Sequence, residues 1–144
     1  MRIEDIMSRN VLCVDPRQDA SSAWAAMNRK GIHHLVVTRD AVVVGVVSER
    51  DLGGPHGEEV RRGKTVGDLM TALVLAVSPD TSVRKAAKLM RGQTIGCLPV
   101  IDGKQLVGIV TVTDLLALVA RGVSSHPAPR ATNDEDDLEI PMRC

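Results

Sequence analysis

Two stretches combine residue types and spacing that could do chemistry. Gly45-Val46-Val47-Ser48-Glu49-Arg50-Asp51 returns 63 positions later as Gly108-Ile109-Val110-Thr111-Val112-Thr113-Asp114. Each reads as an apolar strand running into the first turn of a helix, with a hydroxyl and a carboxylate three residues apart at the junction. Unpaired N–H groups and the positive end of the helix dipole suit a phosphate there. A fixed carboxylate suits a ribose diol. The same spacing also fits a reciprocal capping box, in which hydroxyl and carboxylate serve only the backbone. These residues alone leave both readings open.

The elements that must position them repeat as well. Residues 3–52 align with 66–115 at a constant offset of 63 without a gap, and 16 of the 50 positions are identical. One offset kept through loops marks a duplicated unit. In the first copy a short turn over residues 3–7 precedes a strand at 11–14, stopped by Asp15-Pro16. Ala20, Ala23, Trp24 and Met27 form the stripe of an amphipathic helix, ended by a left-handed Gly31. Strands follow at 34–38 and 42–47, and Ser48 is expected to open a helix cut short by Gly53-Gly54-Pro55. The second copy predicts a turn at 66–70, a strand at 74–77, and a helix carrying Val83, Ala86, Ala87 and Met90. Strands at 97–101 and 105–110 join through Asp102-Gly103, and Thr111 opens a final helix. The expected division is residues 1–53, a charged Gly-rich linker at 54–64, residues 65–121, and a disordered acidic tail at 122–144. The linker's Arg61, Arg62 and Lys64 read as a solvated basic cluster, with phosphate steering the alternative.

Composition bounds the function. At 144 residues the chain can bury a core without metal or disulfide. With no Phe or Tyr and Trp24 as its one aromatic, it lacks the stacking platform of single-stranded nucleic-acid readers. The net charge is zero, split as −3 over residues 122–144 and +3 elsewhere, too slight for binding nucleic acid through bulk charge. Three cysteines without a C-x-x-C pair fit a reducing compartment. With no membrane-length apolar run, the expected location is cytoplasmic.

In their order, the motifs resemble tandem CBS domains, the paired modules called Bateman modules. They are Asp5-Ile6-Met7-Ser8 with Asp68-Leu69-Met70-Thr71, and Val14-x-Pro16 with Val77-x-Pro79. Gly31-Ile32-His33-His34-Leu35-Val36-Val37 matches Ile95-Gly96-Cys97-Leu98-Pro99-Val100, and the two Gly-x-x-Ser/Thr-x-x-Asp stretches complete the set. The resemblance covers residues 1–120. It implies an α/β (α+β) fold of two β-α-β-β-α repeats packed by pseudo-twofold symmetry. It also implies adenosine-containing ligands (AMP, ADP, ATP, S-adenosylmethionine or NAD) in clefts between the repeats. By position, Asp51 and Asp114 would accept from ribose hydroxyls. Ser48, Arg50, Thr111, Thr113, His33 and His34 would meet ribose or phosphate. Val14, Ile32, Val77, Ile95, Cys97 and Pro99 would surround the adenine.

The copies differ where His33, His34 and Arg50 face Gly96, Cys97 and Thr113, which predicts one site suited to phosphate and a weaker or less polar second. Arg50 could instead pair with Glu49 or Glu58 at the surface. Adjacent strand residues point to opposite faces, so His33-His34 does not form a metal pair; no catalytic set, metal or cofactor is expected. The expected function is a non-catalytic regulatory sensor of adenine nucleotides, homodimeric through its helices, acting on an unidentified protein and not on a membrane. The alternative is a structural dimerisation module with vestigial clefts, its Asp residues serving only as caps.

Overall fold

The computed structural model describes residues 1–72 and 75–122. The acidic tail, apart from Gly122, and the strand position Val74 lie outside them. The chain forms two compact units, and these do not follow the repeat boundaries. Among the described residues, one holds residues 11–72 and the other holds residues 1–10 together with residues 75–122.

In the unit of residues 11–72, β1 (Cys13–Val14) leads to α1 (Ala20–Lys30), β2 (His34–Arg39) and β3 (Val42–Ser48), then α2 (Glu58–Arg61), α3 (Val66–Leu69) and β4 (Thr71–Ala72). The sheet order is β1-β2-β3-β4, parallel at its first pair and antiparallel at the others. Asp19 caps α1 by accepting from Ser22 N at 3.0 Å, and Gly31 ends it with φ +65°. The predicted stripe buries Ala20, Ala23 and Met27 against Leu35, Val37 and Val47, with Trp24 half-buried at its edge.

Two expectations are corrected here. No helix follows Ser48: residues 49–53 form a turn that Gly53 and Gly54, at φ +93° and +72°, carry out of helical geometry. The linker is not all loop, because α2 lies within it and Arg61 is buried at 4% exposure.

The second unit repeats the plan with α4 (Val83–Gln93), β5 (Cys97–Asp102), β6 (Gln105–Thr111) and α5 (Val112–Ala120). Val77, Ala86, Met90, Leu98, Val100 and Val110 form its core, closed by Ile3 from the N-terminus. The expected strand at 74–77 reduces, among its described residues, to a bridge between Val77 and Val100. The reason is chemical. In the first unit Val36 N donates to Leu12 O at 3.1 Å, whereas the equivalent position holds Pro99, which has no N–H to give.

The leading segment of each repeat is bound into the unit built on the other. Val66 N, Gly67 N and Ala20 N donate to Gln18 O, Pro16 O and Lys64 O at 2.8, 2.8 and 2.9 Å. Exactly 63 positions apart, Ile3 N, Glu4 N and Val83 N donate to Thr81 O, Pro79 O and Met1 O at 2.8, 3.0 and 3.0 Å. Ile3 and Val66 are fully buried, each worth about 1.5–3 kcal/mol. The Asp of each Asp-Ile/Leu-Met motif starts its segment: Asp68 Oδ2 accepts from Thr65 N at 2.8 Å and Asp5 Oδ2 from Arg2 N at 2.8 Å. The bond from Thr65 holds the Asp68 carboxyl below its usual range.

Candidate functional site

Each unit gathers its candidate residues at one end of its hairpin. In residues 11–72, His34 opens β2 directly opposite Ser48, the last residue of β3. Glu49 N then donates to His33 O at 3.1 Å, which ties the following turn to the start of β2. Asp51 sits in that turn, half-buried. Its Oδ2 accepts from Ser48 N at 2.9 Å while its own N–H donates to Ser48 Oγ at 3.1 Å.

The second unit builds the same geometry. Cys97 is opposite Thr111, and Val112 N donates to Gly96 O at 3.0 Å. Asp114 Oδ2 accepts from Thr111 N at 2.7 Å and from Thr111 Oγ1 at 3.1 Å, and Asp114 N donates back to Thr111 Oγ1 at 3.2 Å. The capping box is therefore formed at both positions. It occupies one oxygen of each carboxylate; the other accepts no hydrogen bond from a described residue. An acceptor held in place by its partner oxygen is well prepared to receive hydroxyls, because little side-chain freedom is left to lose.

The remaining sequence-derived residues divide by burial. Ser48, Thr111, Ile32, Ile95 and His34 are half-buried, and Arg50, Thr113 and His33 are exposed. Val14 and Val77, at 7% and 2% exposure, lie in the cores of their units, and Cys97 and Pro99 are buried in β5. Arg50 forms no ion pair with Glu49 or Glu58. Glu49 instead takes the Nδ1 of His33 at 2.8 Å. That pair belongs to one unit only, since the equivalent positions hold Gly96 and Val112.

Three residues escaped the sequence reading. Gly45 and Gly108 have a packing role within the motif: a Cβ on Gly45 would lie 2.6 Å from Thr71 O, and one on Gly108 2.7 Å from Ser8 O. The glycine lets the leading segment lie against the strand that ends at the Ser or Thr. A Gly inside a strand pattern was the available signal. Arg61 is the third. Its Nη1 donates to Leu52 O and Gly54 O, both at 2.8 Å, and its guanidinium lies 4.3 Å from the centroid of the Trp24 ring. With Trp24, Pro55, Glu58 and Arg62 it lines a recess of about 450 Å³ that includes none of the predicted ligand residues.

The family model described as CBS domain matches residues 3–52 and 66–121. The CBS domain-containing protein YhcV of Bacillus subtilis is 30% identical over 114 residues, spanning 78% of this chain and 81% of that protein. The CBS domain pair of protein MJ0100, solved in complex with 5'-methylthioadenosine and S-adenosyl-L-methionine, superposes with a TM-score of 0.72 at 25% identity, covering 83% of this chain and 99% of that one. CBSX2, a CBS-pair protein from Arabidopsis thaliana solved in complex with AMP, gives 0.66 at 31% identity, covering 83% and 96%. Longer relatives include inosine-5'-monophosphate dehydrogenases, of which the chain spans 23% and 26%.

Proposed function

The chain belongs to the CBS domain family, and from that premise we propose that it is a non-catalytic regulatory module binding an adenosine-containing ligand in each of its two units. The observation that carries the reading is the carboxylate fixed at the end of the hairpin, formed twice, with one oxygen spent on the capping box and one left to accept. The ligands bound by the MJ0100 pair and CBSX2 share an adenosine, which supplies the diol such a carboxylate takes.

Asp51 and Asp114 accept from the ribose, and Ser48 and Thr111 keep the carboxylates in place. Backbone groups at Ile32–His34 and Ile95–Cys97 read the adenine edge. Arg50, exposed and without an ion-pair partner among the described residues, meets phosphate in one unit, where the other offers only Thr113. That difference makes the unit of residues 11–72 the one suited to AMP or ATP, and the other to a less charged ligand such as S-adenosylmethionine. Regulation follows if the ligand binds two conformations unequally; the shift can be no larger than that difference in affinity.

The rival reading, an interaction module whose Asp residues act only as caps, draws on the completeness of both boxes without any ligand. Calorimetry with AMP, ATP and S-adenosylmethionine separates the two. A charge-assisted hydrogen bond is worth about 1.5–3 kcal/mol, so Asp51→Ala and Asp114→Ala should each weaken its own site by roughly 10- to 100-fold. Heats that vanish for every ligand in the wild type, or that persist unchanged in both variants, would leave the cap as the whole role.

A further inference from the structure

The two candidate sites are held by different means. In residues 75–122 the turn carrying Asp114 continues into α5, whose own hydrogen bonds keep it in place. In residues 11–72 the chain keeps a single helical turn, with Leu52 N donating to Ser48 O at 3.2 Å, and leaves helical geometry at Gly53. Gly53 N donates to Arg50 O at 2.9 Å and Gly54 N to Glu49 O at 3.0 Å, and the chain then turns away into the linker. A Cβ on Gly53 would lie 2.9 Å from both Gly57 Cα and Val60 Cβ, so the reversal is tightly packed.

An abandoned helical turn leaves carbonyls that must find donors elsewhere. Arg61 supplies one to Leu52 O and joins Gly57 N, which donates at 3.0 Å, on Gly54 O. One nitrogen of its guanidinium makes both bonds, on either side of the point where the chain reverses. The cation is compensated at 4% exposure by these two carbonyls and by the face of Trp24 on α1. Neither partner recurs: the positions 63 residues on hold Ala87 and Ser124.

We propose that Arg61 is a positioning residue for the Asp51 site, fixing from the linker the turn that presents the ribose-binding carboxylate, and that Trp24 senses the occupancy of that site through Arg61. The inference rests on the adenosine-binding reading above. It makes one site mechanically continuous with the linker and leaves the other independent of it. Trp24 is the one tryptophan of a chain with no tyrosine, so its emission reports this pair alone.

The test uses AMP as probe, with binding followed by calorimetry and by Trp24 fluorescence in the full chain. In an Asp114→Ala background, which keeps the Asp51 site, Trp24 emission should change in step with the heat. In an Asp51→Ala background it should stay flat. Arg61→Lys, which keeps the charge but not the planar fork, should lower AMP affinity about tenfold or more in the first background and by less than twofold in the second. A merely structural Arg61 would leave emission indifferent to AMP. If Arg61→Lys fails to fold, the emission titration of the two Asp variants carries the test. AMP binding in the Asp114→Ala background with flat emission overturns the inference and leaves the adenosine reading standing. Absence of AMP binding in the wild type overturns the inference, and the adenosine reading falls with it when ATP and S-adenosylmethionine give no heat either.

Discussion

Among individual residues, Asp15 shows how a local contact sets a titration. Its carboxylate takes hydrogen bonds from Arg17 Nε at 2.9 Å, Arg17 Nη2 at 3.0 Å and Arg17 N at 2.8 Å. The side-chain bonds, then the backbone bond, hold its pKa at about 2, against an ordinary 3.8. A lowered carboxylate pKa contributes stability that is present above the ordinary value and is lost as pH falls toward the folded one. Proton titration by NMR should therefore find Asp15 near 2, and Arg17→Ala should move it up toward 3.8. An unchanged midpoint in that variant would assign the shift to something other than the ion pair. Neither this pair nor the His33–Glu49 pair was legible in the sequence, where the alternative to a phosphate-binding Arg50 was its pairing with Glu49 or Glu58. Nearness in sequence favoured Arg50, but the register of β2 against β3 brings His33 across instead. Arg61 was hidden for a related reason. A basic cluster in a Gly-rich stretch reads as solvated, and only the turn beside it creates the carbonyls it satisfies.

Elements repeat more faithfully than side chains. Strands β1, β2, β3, β5 and β6 and helices α1, α4 and α5 were read from the sequence, and even the irregularity recurs, with a register shift at Val37/Thr38 in one hairpin and at Val100/Ile101 in the other. Two divergences trace to named residues: Pro99 beside the first strand, reduced among its described residues to a bridge, and Gly53 with Gly54 at the end of the turn after Asp51. The motif glycines belong to this scale because they set how close two strands approach. Gly45→Ala and Gly108→Ala should each destabilise the chain by about 1–3 kcal/mol in urea unfolding, since a methyl would collide with a backbone oxygen that cannot swing aside. Gly96→Ala, with nothing within 4 Å of the added carbon, should stay within about 0.5 kcal/mol. Equal effects at all three positions would contradict the close approach. The sequence showed the capping boxes at both motifs; it could not show β4, a two-residue strand with no period of its own.

For the whole molecule, α5 leaves an apolar stripe uncovered, with Val112, Leu116 and Val119 at 39%, 62% and 75% exposure and spaced at i, i+4 and i+7. The stripe is the surface on which the expected homodimer would form, and no helix among the described residues is long and apolar enough to cross a membrane. Leu116→Glu with Val119→Glu should convert a dimer to monomer in analytical ultracentrifugation; a dimer that survives would place the interface elsewhere. The reciprocal binding of leading segments has a consequence for how the chain comes into being. As it leaves the ribosome, residues 11–72 can complete their core as soon as β4 has emerged, while residues 1–10 must wait for Val77, Met90 and Leu98. Residues 1–10 are therefore made before the segments that receive them, and their closing step spans a long loop. A fragment of residues 11–72 should then unfold cooperatively in urea by itself, whereas residues 1–53, which look like the complete first repeat, should not. The opposite result would show that the sequence repeat, and not the exchanged unit, is what folds.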